Sequence, residues 1–257
     1  MKSEYGFYMQ QQNALKASGN GRFFTDQESR YTEPFQIYGN LYYVGDSWVC
    51  VHLVDTGDGL LMFDAGNCGA QAMLVYSIWK AGFDPADVKW IILSHGHMDH
   101  FGAANFFKRM FGTKIYLSEP DAKMFREHPE QSMVQISGNC MDELFEPDVE
   151  TDGKEKKRVG YYGGFGFNTL QKDFLMEIGD MTFEMRRKYL NSLKKVRDEE
   201  VELFMGNHTA NVDLLAKRKY MQEHPDKNPF LDSQAWKEYL DEKYEELLQL
   251  MNDPRQN

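Results

Sequence analysis

Three imidazoles and a carboxylate fall within six residues at His95-Gly96-His97-Met98-Asp99-His100, directly after the apolar run Trp90-Ile91-Ile92-Leu93. Imidazole and carboxylate are the donors that a borderline cation such as zinc prefers. The spacing adds geometry to this chemistry. His95 and His97 alternate by two, so at the end of a strand both point the same way. Asp99 and His100 lie just beyond, where the chain can turn back. One short loop can therefore feed two adjacent metal positions, and the pattern predicts a metal site.

Strands and helices must hold that loop in place. Segments 35–44, 48–55 and 60–64 read as strands, the last two joined by the hairpin turn Thr56-Gly57-Asp58-Gly59. Residues 70–80 read as a helix stopped by Gly82. Asp84-Pro85 opens a short turn before the strand 90–93. After the loop come a helix at 103–111, a strand at 114–117 and a further helix at 120–126. This strand–helix–strand alternation is α/β in character. The polar stretch 146–157, with Pro147 and Asp152-Gly153, reads as a turn or loop, and 158–162 as a short strand ending at Gly163-Gly164. Residues 184–198 form a helical pattern with Tyr189, Leu190, Leu193 and Val196 on one face. A buried strand at 201–205 ends at Gly206-Asn207-His208, and two helices at 211–222 and 233–251 follow. In the second, Trp236, Tyr239, Leu240, Leu247, Leu248 and Met251 make an apolar stripe. Residues 1–33 read as a polar N-terminal arm. With no repeat and no Pro/Gly/Ser-rich linker, the expectation is one domain over 1–257, its C-terminal helices in 211–257.

Composition narrows the partners. Hydrophobic residues make up 42%, mean hydropathy is −0.62 and the net charge is −11. That charge disfavours nucleic acid and anionic membranes, since phosphate backbones need clustered Lys and Arg. The basic runs at 154–158, 186–188 and 217–219 are short, sit among acids and read as solvated faces. Cys50, Cys68 and Cys140 are few and widely spaced, which fits a reducing compartment better than a disulfide scaffold. The first residues lack the apolar core of a signal peptide, and no run of about 18 apolar residues spans a bilayer. The expectation is a cytoplasmic protein acting on a small-molecule substrate, with self-association left open.

Other motifs are weaker. Gly163-Gly164-Phe165-Gly166 lacks the Lys-Ser/Thr pair of a phosphate cradle, and no Gly-x-Ser-x-Gly elbow occurs. His52 reads as a sheet residue beside Cys50 in an apolar strand, His128 as a solvated loop residue and His224 as part of a helix-ending turn.

The order of a strand ending in Asp64-Ala65-Gly66, then HxHxDH, then a late strand ending in His208 resembles the metallo-β-lactamase superfamily, over about residues 35–145 and 185–225. The resemblance implies an α/β (α+β) fold, a four-layer αββα sandwich with metal between two sheet edges. It implies hydrolysis of an ester, thioester, lactam or phosphodiester by a metal-activated water. It makes His95 and His97 ligands of a first metal and Asp99, His100 and His208 ligands of a second. Asp64 becomes the acid that braces the His-bearing loop by hydrogen bonding. Two family features have no counterpart. No HxxGHxxG turn lies between His100 and His208, and Val159-Gly160-Tyr161-Tyr162-Gly163-Gly164 has no acid where a bridging carboxylate is expected. The first site is thus one ligand short and the second sheet is expected to be truncated. One zinc ion at Asp99, His100 and His208 is favoured over two, with iron or manganese suited to the same donors. Asp99 is the catalytic candidate, and Tyr161 or Tyr162 is placed to donate to a developing oxyanion in the substrate. The alternative is a degenerate, non-catalytic relative with an incomplete metal site. A di-iron module handling oxygen or nitric oxide needs more carboxylates than are present.

Overall fold

The computed structural model describes residues 27–134, 144–151, 159–163, 166–177 and 182–256. Seven strands form one mixed sheet whose spatial order follows the chain: β1 (Phe35–Tyr38), β2 (Leu41–Tyr43), β3 (His52–Asp55), β4 (Leu60–Phe63), β5 (Val88–Ile92), β6 (Lys114–Ser118) and β7 (Val149–Thr151). The first four pair antiparallel, and β4 to β7 pair parallel. Parallel neighbours need crossovers. Helices supply them: α1 (Gln71–Lys80) before β5, then α2 (Met98–Phe101) and α3 (Ala104–Phe111) before β6, and α4 (Glu119–Glu127) after it.

Among the described residues the second sheet consists of β8 (Val159–Tyr162) and β9 (Leu203–Gly206), paired parallel. Their crossover carries α5 (Lys172–Glu177) and α6 (Glu184–Arg197), and α7 (Leu214–Glu223) and α8 (Ala235–Asn252) follow β9.

The period-2 alternation of the strands sorts side chains into two cores. Leu53, Met62, Ile91 and Ile115 face Leu74, Ile78 and Phe107 of the helices on one side. Ile37, Tyr43 and, more shallowly, Val54 and Phe63 face Leu203, Phe204 and Met205, backed by Leu193, Trp236 and Leu240. Helix, sheet, sheet, helix is the resulting order of layers.

Four sequence expectations need correction. Segment 35–44 is two strands, because Gly39 adopts a left-handed φ of 53° and folds Leu41 back on Tyr38. Segment 48–55 becomes a strand only at His52. Before it, Cys50 N donates to Asn207 O and Thr209 N to Trp48 O, so this stretch is tied to the end of β9 instead. The polar segment 146–157 is not all loop. Asp148 exchanges hydrogen bonds with both backbone groups of Ile115 and sets the register of β7 against β6; residues 152–158 lie outside the described residues. Within the supposed arm, Arg30 is buried with its Nε 3.2 Å from Asp46 Oδ2; residues 1–26 lie outside the described residues. No helix among the described residues is long and apolar enough to cross a membrane.

Candidate metal centre

Strands β4, β5, β8 and β9 end at one edge of the sandwich, and the chemistry-bearing side chains sit at those ends. Immediately after β4, Asp64 is fully buried in a left-handed conformation, φ 58°. Its backbone N donates to Ile92 O, and the following turn is zipped to α2 through Ala65 N to His100 O, Cys68 N to Met98 O and Gly102 N to Gly66 O. Gly102 is required there. A Cβ on it would stand 2.1 Å from the backbone carbon of Asn67. A non-glycine residue at positive φ is costly and persists only where its surroundings over-determine it.

Every polar neighbour of the Asp64 carboxylate is a donor. Oδ1 accepts Ser94 N at 2.7 Å, and Oδ2 accepts Ser94 Oγ at 2.8 Å, His100 Nδ1 at 2.7 Å and the Tyr161 hydroxyl. His100 therefore carries its proton on Nδ1 and turns Nε2 toward the cluster. His208 is fixed the same way: its Nδ1 lies 3.3 Å from the carbonyl of Trp48, an acceptor only, which leaves Nε2 with a lone pair. The two Nε2 atoms face each other at 3.3 Å, with Asp99 Oδ2 3.4 Å from one and 3.7 Å from the other.

Three electron-rich atoms do not converge without a positive charge between them. Asp99, His100 and His208 are the group of described residues whose ligand atoms, all within 4.8 Å of one another, fit a metal ion. Donors bound to zinc at about 2.0–2.1 Å in a tetrahedron stand about 3.3 Å apart, so the donor set fits such a cation.

Without metal, a proton takes that role. Burial opposes charge on His100, but the carboxylates of Asp99 and Asp64 outweigh it and lift its pKa to about 10. Burial likewise opposes ionisation of Asp99, yet His100 holds its carboxyl far below the usual range. Burial pushes His95, His97 and His208 down, aided for His95 by repulsion from His100 and His97.

His95 and His97 pair with each other. Ser94 Oγ, already donating to Asp64, accepts His95 Nδ1 at 3.0 Å, and His95 Nε2 in turn lies 3.1 Å from His97 Nδ1. The loop between them is pinned by Gly96 N donating to Asp121 Oδ1 at 3.1 Å, at the start of α4. Neither tyrosine hydroxyl joins the ligand cluster: Tyr161 is engaged with Asp64, and Tyr162 bonds Ser192 on α6. The expected oxyanion role of the pair thus finds no support in their orientation. His52 is buried beside Tyr43 and Tyr161, while His128 and His224 lie at the C-terminal ends of α4 and α7. Sequence reasoning did not find Ser94, Asp121 or the Trp48 carbonyl. Only the helix-start spacing of Ser118 and Asp121 offered a signal.

The sequence pattern of the metallo-beta-lactamase superfamily matches residues 49–162. A curated relative, hydroxyacylglutathione hydrolase GloC of Haemophilus influenzae, is 45% identical over 47 residues, which is 18% of this chain and only 22% of that protein. Among solved structures, native FEZ-1 metallo-beta-lactamase from Legionella gormanii superposes with a TM-score of 0.75 at 21% identity, covering 89% of this chain and 98% of that one. BJP-1, a subclass B3 metallo-beta-lactamase of Bradyrhizobium japonicum, gives 0.70 at 20% identity over 88% and 96%. Likeness at such low identity establishes the sandwich fold. The sequence match spans Asp64 and the 95–100 loop. Over residues 49–162 the chain matches the metallo-beta-lactamase superfamily, and it shares the fold of solved metallo-beta-lactamases.

Proposed function

We propose that this chain is a hydrolase that depends on one divalent cation held by Asp99, His100 and His208. The facing Nε2 atoms of His100 and His208 carry the reading, because the other nitrogen of each ring is committed to an acceptor. Three protein donors leave a coordination position open, as in catalytic rather than structural zinc sites. A cation held there supplies Lewis acidity and lowers the pKa of water toward neutrality. Zinc suits the donors best, and iron or manganese also fits them.

The residues around it have separate tasks. Asp99, with 14% of its side chain exposed, stays ionised and offers Oδ2 to the cation. The chain from Asp64 through Ser94 and His95 leaves His97 Nε2 unprotonated, a base at the rim of the site. His208, 27% exposed on its side chain, opens the cluster to solvent and substrate. The reaction is hydrolysis of a small ester, thioester, lactam or phosphodiester. Cys50 and Cys68 are buried free thiols, which supports a reducing, cytoplasmic setting. Titration of the purified chain with zinc and cobalt should show one ion bound, lost in a His100→Ala/His208→Ala double variant. Unchanged stoichiometry in that variant would sink the proposal.

One observation favours a second reading. His95 and His97 spend lone pair and proton on each other, and among the described residues no further ligand joins them at the first metal position. A non-catalytic relative with an incomplete site would purify without metal and turn over neither a generic ester nor a phosphodiester when loaded.

A further inference from the structure

The stretch Asp46–Cys50 before β3 has no role in the reading above beyond lending one carbonyl to His208, yet it is held more firmly than an ordinary loop. Asp46 Oδ1 accepts Trp48 N at 2.8 Å and Val49 N at 2.7 Å, and its backbone carbonyl accepts the Tyr43 hydroxyl. Arg30 lies against the other carboxylate oxygen, and Ser47 N donates to Arg30 O at 2.8 Å. On the far side, Thr209 Oγ1 donates to Ser47 O at 2.9 Å and Thr209 N to Trp48 O at 3.1 Å. The backbone of Trp48 is thereby fixed to both sheets. Its indole, partly exposed, stands 5.4 Å from the imidazole of His208, ring centre to ring centre.

A rigid, half-open aromatic face beside a metal ligand is a surface for apolar substrate atoms, since ordering it costs nothing further on binding. Charge points the same way. The ion pairs at the cluster join Asp99 to His100 and His208 and Asp64 to His100. No lysine or arginine takes part in them, so among the described residues no basic side chain paired with the cluster meets a substrate carboxylate or phosphate.

We infer that the substrate is an uncharged ester or thioester whose apolar acyl group lies on the indole of Trp48. This rests on the hydrolase reading and narrows its substrate class. Two measurements on zinc-loaded protein test it. The first is calorimetric binding of two neutral zinc-seeking probes, acetohydroxamate and octanohydroxamate. The second is the kcat/KM ratio for 4-nitrophenyl octanoate against acetate. In the native protein the longer chain should be favoured at least about tenfold in both, the worth of about two buried methylene groups. Trp48→Ala should collapse both ratios toward one, with the esterase loss falling on KM, and Trp48→Phe should restore most of the preference. Zinc stoichiometry, read in parallel, reports that each variant keeps its site. A chain-length preference unaltered in Trp48→Ala overturns the inference alone, as does faster turnover of bis(4-nitrophenyl) phosphate than of octanoate ester. Zinc failing to bind, or loaded protein hydrolysing none of these compounds, overturns the hydrolase reading and this inference with it.

Discussion

Replacing Asp64 with asparagine reverses the hydrogen-bond logic of the centre while changing almost no volume. The carboxylate is surrounded only by donors: Ser94 N and Oγ, His100 Nδ1 and the Tyr161 hydroxyl. An amide keeps Ser94 N on its oxygen, so its NH2 must face His100 Nδ1, now 2.7 Å from Oδ2. Two donors cannot share that contact. His100 then takes the other tautomer and moves its proton to Nε2, the atom that faces His208 and Asp99. A hydrogen bond to a charged group contributes about 1.5–3 kcal/mol. Loss of a partner behind a metal-bound imidazole weakens metal binding about 10–100-fold, or about 1.4–2.8 kcal/mol. The two figures agree, and the expectation is a zinc Kd about 10–100-fold higher in Asp64→Asn, read by competition against a fluorescent chelator. Tyr161→Phe deletes one donor to the same oxygen without reversing any contact, so its effect should stay near threefold, about 0.6 kcal/mol. An Asp64→Asn protein that binds zinc within threefold of the native one would refute the tautomer argument. So would a Tyr161→Phe loss as large as the asparagine's.

Zinc binding should also release a proton. His100 is protonated below its pKa of about 10 and must be neutral to ligate. Calorimetry in buffers of different ionisation enthalpy should then find about one proton released per ion at pH 7, with affinity tightening about tenfold per pH unit; zero release would contradict the assignment. His52 sets an acid limit. Burial lowers its pKa from 6.5 to about 4 against the pull of Asp64, so the unfolded chain binds the extra proton between those values. That stability is fully present above pH 6.5 and is lost as pH falls through 4. About 3 kcal/mol should disappear between pH 7 and 4 and be recovered in His52→Gln, measured by urea unfolding at both pH values. Gly102→Ala forces a methyl into the Asn67–Cys68 backbone and should cost about 3 kcal/mol or more; an unchanged melting temperature would show that α2 is not clamped as described.

What could be read in the sequence was local. The HxHxDH spacing, the strand end at Asp64 and the strand end at His208 are each set by a few consecutive residues whose period is fixed by the backbone. The long helices were legible for the same reason. β7 was not, because Val149-Glu150-Thr151 is too short to show alternation and becomes a strand only through Asp148 gripping Ile115, 33 residues earlier. The division of 35–44 turned on one left-handed glycine inside an apolar run. The role of Tyr161 was out of reach altogether. A tyrosine at a strand end reads equally as packing or as an oxyanion donor, and only the approach of the second sheet brings its hydroxyl to Asp64, 97 residues away.

That contact bears on how a site poorer in ligands can hold together. In β8 the chain offers no acid to tie the two sheets through metal. Tyr161 ties them through protein instead, reaching from the second sheet to the carboxylate that orients His100 on the first. Thr209 and Cys50 make the corresponding ties from the other side, joining the end of β9 to the segment before β3. His100 and His208 are therefore brought face to face by hydrogen bonds that need no ion. Ordering a site at the moment of binding consumes binding energy, whereas a centre ordered in advance leaves that energy for affinity. A cation entering between them would displace one proton and should reorder little else. The protein contacts that assemble the centre are thus distinct from the donors that would hold the ion. Substitutions behind the ligands should accordingly weaken metal binding by degrees, and only removal of His100, His208 or Asp99 should abolish it.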